Sequence, residues 1–460
     1  MDGGLALIGA VANELALFAA AGFLLFGIDD LVVDAIYLAR TGWRRIAVYT
    51  RHERLTTGTL KATPPPGGFA VLVPAWDEGE VIGPMLRHAL TAWGGADVTI
   101  FVGCYPNDPA THAAVAATAD PRVRCAGVPT PGPTTKADCL NALYGAMRDD
   151  EQARGRRYEA AILHDAEDVV HPRELDLFAM LIARAGLIQL PVLPLIDHGS
   201  RWIAGHYADE FAESHGKEMV VREAVGAALP SAGVACAIRR DVLDELAALG
   251  GGEPFNPESL TEDYELGLRL HAVGHRAMFV RLPAEGGRDP VATREHFPAT
   301  LDAAVRQKAR WMAGIALTGW DRLGWRGGLA ERWMRARDRR GPLCALLIMA
   351  GYLALLLWSA SALVALAGGP AVAGPGPALQ AVLLVNVGLL WWRLLMRAVF
   401  VGRAYGWREG LRSVPRVFIA NAIAILAARR AVGVYLDQLR TGRARWDKTR
   451  HRFPQAASAA

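Results

Sequence analysis

Between residues 69 and 272, short apolar runs alternate with stretches of helical periodicity. The apolar runs 69–74 (FAVLVP), 98–103, 122–128, 159–164 and 234–238 have the length and β-branched content of buried strands. The segments 79–93, 136–148, 172–185, 202–224 and 262–272 repeat apolar residues at three- and four-residue spacing, which predicts helices. Strand and helix in alternation predict an α/β fold with a mostly parallel sheet. Ligands of such sheets sit beyond the C-terminal strand ends, so the residues following each strand are the ones to inspect.

A second pattern flanks this region. Residues 343–367 form a run of 25 without a charge, longer than a bilayer core requires. A Gly/Pro turn (368–377) leads to a second run, 378–400, whose Arg393 and Arg397 sit near its end, where long side chains snorkel. Residues 5–28 form a third run, interrupted by Asn13 and Glu14, and Met-Asp-Gly-Gly lacks the basic start of a cleaved signal. A fourth apolar run, 417–428, is short and lies between basic clusters, which predicts an interfacial or re-entrant helix. Arginines follow the first span (Arg40, Arg44, Arg45), precede the second (Arg332 to Arg340) and follow the third (Arg403 to Arg416). The positive-inside rule then places residues 41–340 and the C-terminus of a multi-pass chain in the cytoplasm. The resulting division is an anchor (1–40), a linker (41–68) ending in TPPPGG, a cytoplasmic domain (69–300), interfacial amphipathic helices (301–340), a transmembrane hairpin (341–403) and a basic C-terminal segment (404–460).

Composition agrees with this division. Of the 460 residues, 52% are hydrophobic and 21% charged, which excludes a disordered or fibrous chain. The net charge of +4 gives no support to a nucleic-acid partner. Five scattered cysteines without a C-x-x-C pair argue against a disulfide scaffold or zinc ribbon and fit reduced thiols.

Four constellations carry candidate chemistry. Asp77 and Glu78 follow the first strand, as a base- or ribose-binding pair or as a helix-start turn. In His164-Asp165-Ala166-Glu167-Asp168, Asp165 and Glu167 point the same way if the segment is extended, and their hard oxygens suit Mg²⁺ or Mn²⁺; an acidic turn before the helix at Pro172 is the plain alternative. Thr261-Glu262-Asp263 opens a helix, either as a capped start or as a carboxylate poised to act as general base. In Gln307-Lys308-Ala309-Arg310-Trp311 a guanidinium suited to diphosphate oxygens stands beside an indole suited to a sugar face, on a helix equally fit to lie on headgroups. His164 and His171 admit a zinc hydrolase, although their spacing is not H-E-x-x-H.

The order of these motifs (strand-end acids, an acidic pair, T-E-D, then Q-x-x-R-W) resembles the inverting membrane glycosyltransferases of family 2, with the GT-A fold. VGCYPNDPAT (102–111), HDAEDVVHP (164–172) and WDKTRHRFP (446–454) resemble more closely the NfrB-type bacterial inner-membrane members. The resemblance implies a UDP-sugar donor, with Asp77, Glu78, Asp108, Lys136, Asn141, Asp165, Gln307 and Arg310 on the nucleotide sugar and Asp138 nearby. It implies metal on Asp165 and Glu167, Asp263 as base beside Glu262, and Trp311 at the acceptor. Ala232 to Arg240 is similar to the family's small-residue strand near the acceptor. The implied acceptor is a growing glycan or a lipid-linked sugar, for a surface polysaccharide, with membrane lipids and an outer-membrane or export partner. This chain departs from the pattern with Asp77 in place of Asn, with D-x-E in place of D-x-D, and with Tyr105-Pro106-Asn107-Asp108 after the second strand. Longer chains of this type carry a C-terminal domain resembling cyclic-di-GMP-binding modules; none lies within these 460 residues. The competing reading is a non-catalytic membrane scaffold that keeps the fold.

Overall fold

The structure, a computed structural model, describes residues 2–286, 290–442 and 452–454. The chain opens with α1 (Asp2–Trp43), crosses an extended linker and enters β1 (Phe69–Pro74). There follow α2 (Ile82–Ala92), β2 (Val98–Cys104), α3 (Pro109–Ala116), β3 (Val123–Gly127), α4 (Lys136–Arg154) and β4 (Ala160–Leu163). Next come α5 (Glu174–Leu181), β5 (Leu187–Gln189), β6 (Val192–Leu195), α6 (Ile203–Glu213), α7 (Met219–Ala224), β7 (Cys236–Arg239), α8 (Arg240–Leu249) and α9 (Glu262–Ala272). The body closes with β8 (Ala277–Phe279), β9 (Thr293–His296), α10 (Leu301–Met312), α11 (Gly319–Leu323) and α12 (Leu329–Arg339). Three long helices end the described chain: α13 (Gly341–Leu366), α14 (Pro377–Tyr405) and α15 (Trp407–Thr441).

The main sheet has the order β3-β2-β1-β4-β7-β5-β8, parallel except for β7, and β6 pairs with β9 in a second, parallel ribbon. Every residue of β1 and β2 is buried, as a central strand covered on both faces must be. From β1 the chain goes to β2 on one side and later to β4 on the other. That reversal opens a crevice beyond Pro74 and Leu163. The predicted strands are present with ends shifted by a residue or two. The strands missed, β5, β6, β8 and β9, are three or four residues long, too short to show alternation. The predicted helix 202–224 is α6 and α7 joined by a π-helical turn, Ser214–Glu218. The helix expected over 172–185 ends earlier, because Leu187 to Gln189 is a buried strand.

Among the described residues four helices are long and apolar enough to cross a membrane: Ala6–Val48, Gly341–Leu366, Pro377–Tyr405 and Trp407–Thr441. The first is longer than the apolar run 5–28, because its acids find partners instead of ending the helix. Asp30 accepts from Arg340 at 2.7 Å and pairs with Arg393, Asp29 pairs with Arg337 and Arg340, and Asp34 accepts from Lys217 at 2.6 Å. Arg393 therefore does not snorkel; it is tied to α1. Asn13 faces α13, accepting from the Trp358 indole at 3.2 Å, while Glu14 is on the exposed side.

The fourth apolar run, 417–428, is part of one continuous 35-residue helix, so a re-entrant loop is excluded. One face of α15 lies along the body. Arg416 grips the Asp209 carboxylate at 2.7 and 2.9 Å, and Ile423 packs with Tyr207 and Phe297. Ala427 and Ala431 pack on Ala309 and Ala313, and the Tyr435 hydroxyl donates to Asp321 at 2.6 Å. These contacts extend roughly 30 Å along the helix at its rise per residue.

Candidate active site

The first wall of the crevice follows β1. Asp77 adopts a left-handed backbone (φ 55°), and its N–H donates to Asp108 Oδ2 at 2.6 Å. Asp108 Oδ1 accepts from the Thr111 N–H at 3.2 Å as the cap of α3. The Trp76 ring meets Tyr105 edge-on at 5.0 Å and lies against Gly132, where a Cβ would stand 2.4 Å from the indole. Trp76 and Glu78 line the crevice, and Asp77 is exposed at its rim.

The second wall follows β4. Asp165 Oδ1 lies 2.6 Å from the ammonium of Lys136, the first residue of α4. The helix is started there by a reciprocal capping box between Thr135 and Asp138. Burial alone would strip Lys136 of its proton, but Asp165, Glu262 and Asp263 outweigh it and hold the group charged. Behind Asp165, the buried His164 ring is clamped between Asp168 at 2.6 Å and Glu174 at 2.7 Å. Burial opposes its protonation, and the two carboxylates reverse that, lifting its pKa to about 10.

The third wall is the start of α9. Thr261 makes no capping bond through its side chain, contrary to the helix-cap reading; its buried hydroxyl has no hydrogen-bond partner. Asp263 Oδ1 accepts from the Tyr264 N–H at 2.7 Å. Its Oδ2 faces Gly233, where a Cβ would come within 2.7 Å and the backbone φ is +74°. That is why the small-residue segment entering β7 carries glycine at this point. Burial raises the pKa of Asp263, and burial together with its neighbour's charge lifts Glu262 to about 7.

The fourth wall is α10. Gln307 Oε1 and Arg310 Nε are buried with no hydrogen-bond partner, and both residues line the crevice. Trp311 belongs to an aromatic group with Tyr207, Phe211 and Phe297, its ring centroid 6.1 to 6.3 Å from each. The π-helical turn that continues α10, Ala313–Thr318, approaches Thr261 closely because Gly314 has no side chain; a Cβ there would stand 2.6 Å from Thr261.

One crevice therefore gathers Glu78, Lys136, Asp165, Glu167, Glu262, Asp263, Gln307, Arg310 and Trp311. Three predicted contacts fall outside its lining, the exposed rim residue Asp77 among them. Asp108 spends both oxygens on backbone N–H groups, and Asn141 bonds the main chain of Phe255 on both sides of its amide, at 2.9 and 3.1 Å. Asp138 is likewise a helix cap. The zinc alternative fails at His164, whose ring nitrogens both face carboxylates. Of the motif 446–454, residues 446–451 lie outside the described residues. Sequence reasoning missed Trp76, Glu295 and Phe297 as lining residues. Glu295 lies in β9, too short to be recognised as a strand, and no pattern marked Phe297.

The crevice also carries the donor chemistry a divalent cation takes. Six carboxyl groups (Glu78, Asp165, Glu167, Glu262, Asp263, Glu295) share it with two cations, Lys136 and Arg310. An enclosed excess of hard oxygen donors is what Mg²⁺ or Mn²⁺ requires.

A mostly parallel sheet with acids at its switch point, closed by a Q-x-x-R-W helix, defines a glycosyltransferase of the GT-A kind. Residues 65–314 match the family described as "Glycosyltransferase like family 2", and the chain belongs to that family. "Bacteriophage adsorption protein B" of Escherichia coli (strain K12) is 38% identical over 456 residues, covering 93% of this chain and 60% of that protein. "Bacteriophage N4 adsorption protein B" of Escherichia coli O157:H7 matches to the same extent. This chain thus spans 60% of the length of both relatives. Among solved structures, the mannosyltransferase PcManGT from Pyrobaculum calidifontis, in complex with GDP-Man and Mn²⁺, shares the fold, with a TM-score of 0.53 and 15% identity over 92% of this chain and 99% of that one.

Proposed function

We propose that this glycosyltransferase transfers a sugar from a UDP-sugar, with inversion, to a growing glycan or lipid-linked acceptor on the cytoplasmic side of a bacterial inner membrane. The product is destined for a surface polysaccharide and passed to an export partner. The observation that carries the reading is the convergence of Asp165, Glu167, Asp263 and Arg310 on one crevice. Asp263 takes the acceptor hydroxyl's proton, and its raised pKa makes it a stronger base than an exposed aspartate. The acceptor oxygen attacks the anomeric carbon from the face opposite the diphosphate. Arg310 stabilises the charge that grows on the departing phosphate, and its unpartnered buried Nε has a donor to spend there. Asp165 and Glu167 would hold a divalent cation, which supplies further neutralisation of the diphosphate. Trp76 and Glu78 receive the nucleoside, and Trp311 with its aromatic neighbours receives the acceptor ring.

In this reading α1, α13 and α14 cross the bilayer. The α15 helix, bound along one face to the body from Arg416 to Tyr435, lies at the membrane surface instead. The test is a screen of nucleotide sugars for divalent-dependent release of nucleotide from the purified protein, with Asp263→Asn as control. Release of UDP by the wild type alone supports the reading. No release from any donor returns the scaffold alternative.

A further inference from the structure

Away from the crevice, three residues remote in sequence meet at the free end of the sheet. Cys104 ends β2, Cys125 lies in the edge strand β3, and His112 lies on α3, which covers that face. Val102 is in register with Cys125, so Cys104, two residues on, projects from the same side of the sheet. One ligand atom from each of the three lies within 4.8 Å of the others, and this is the one such His/Cys/Asp/Glu group among the described residues. His112 Nδ1 stands 3.4 Å from Cys125 Sγ. A sulfur and a nitrogen sharing a tetrahedral zinc ion are about 3.5 Å apart, given metal bonds of about 2.3 and 2.05 Å. The other ring nitrogen, Nε2, lies 3.1 Å from the Tyr105 carbonyl, so it carries the proton and leaves Nδ1 as a lone-pair donor. A backbone carbonyl fixing the tautomer of a ligating histidine is the usual outer support of a metal site.

We infer that Cys104, His112 and Cys125 form a site for one soft divalent cation of the zinc class, distinct from the carboxylate crevice. Two thiolates and an imidazole select Zn²⁺ over Mg²⁺ or Mn²⁺, which prefer oxygen. On binding, the two thiols release their protons to solvent and their sulfurs bond the metal. Cys104 is buried and Cys125 exposed, so the ion enters from the surface and keeps a position open to water there. The bound ion would pin β2, β3 and α3 together. The loop joining β2 to α3 carries Tyr105, which backs Trp76, and Asp108, which caps α3 and holds the Asp77 backbone. The site therefore braces the nucleoside side of the crevice without touching substrate.

The test is titration of the reduced 460-residue chain in detergent with Co²⁺, in the presence of excess Mg²⁺ to fill the oxygen site. The expected result is a thiolate-to-cobalt charge-transfer band that saturates at one Co²⁺ per chain and is bleached by Zn²⁺. Cys125→Ser and His112→Ala abolish it, and Cys344→Ser, in α13, leaves it intact. Cys125 is on the surface, so its substitution spares the core. The inference falls if reduced wild type shows no such band, if the band survives in both site variants, or if protein purified under reducing conditions carries a Cys104–Cys125 disulfide.

Discussion

Lys136 Nζ lies 2.6 Å from Asp165 Oδ1, at the centre of an acidic crevice. The ammonium occupies the carboxylate that, in our reading, a divalent cation shares. The two cations compete for Asp165 until the donor's diphosphate brings negative charge of its own. Lys136→Met therefore has opposite effects on two affinities. Mn²⁺ alone binds roughly ten- to a hundredfold more tightly, the order set by one charge-assisted hydrogen bond of about 1.5–3 kcal/mol. The nucleotide sugar binds correspondingly more weakly. Calorimetric titration of each ligand separately measures both, and a parallel loss of the two would contradict the competition.

Asp263 and Gly233 form one unit, because the glycine's missing side chain is the space Asp263 Oδ2 uses. Asp263→Asn removes the base and keeps the shape, so turnover falls by about 10²–10⁴ while thermal stability stays level. Gly233→Ala leaves the base and displaces it, with a strain cost of about 1–2 kcal/mol at the left-handed backbone. Its kcat falls with little change in donor KM. Steady-state kinetics of the two variants beside wild type settle the point, and a Gly233→Ala enzyme with full kcat would refute the geometry.

The neighbouring Glu262 gives the reaction its pH dependence. Burial and the charge of Asp263 raise its pKa to about 7, so the pair holds a proton in mildly acidic solution. Activity then rises with pH through an apparent pKa near 7. Glu262→Gln removes a like charge from beside the base, and the acid limb of kcat/KM moves to lower pH. A limb that stays in place in the variant would assign it to another group.

Much of this site was legible because its chemistry is local. Asp165 and Glu167 follow a buried strand directly, and T-E-D opens a helix whose observed ends, Glu262 to Ala272, match the predicted ones. What escaped depended on distant partners. Asp108 and Asn141 carry the right functional groups, yet their oxygens are taken by main chain at Asp77, Thr111 and Phe255. Pairing with arginines some 300 residues away keeps α1 helical through Asp29 and Asp30, and hydropathy has no access to that. The α15 helix reads as a short apolar run because Arg416 on one side and Arg429 and Arg430 on the other interrupt it, and only the structure shows Arg416 spent on Asp209 while the helix runs on. Trp76 directly precedes the strand-end acids, but only the Tyr105 and Gly132 surfaces show why its ring is held at the crevice.

His164 supports the metal-facing loop through charge. It is fully buried, and burial works against its protonated form, but Glu174 at 2.7 Å and Asp168 at 2.6 Å hold the proton on it to a pKa of about 10. In the unfolded chain an imidazole titrates near 6.5. A folded value above the unfolded one adds stability that is complete below pH ~6.5 and is lost as pH rises toward 10. Asp168 Oδ2 also accepts from the Asp165 N–H at 3.1 Å, so the same clamp orients the proposed metal ligand. His164→Gln strands two buried carboxylates and costs about 3–5 kcal/mol at neutral pH. Because wild type loses its own imidazolium at high pH, the gap in melting temperature between wild type and variant narrows from pH 7 to pH 10. Thermal melts at the two pH values measure it. An unchanged gap would mean that His164 is neutral at pH 7 and that the two carboxylates share their protons some other way.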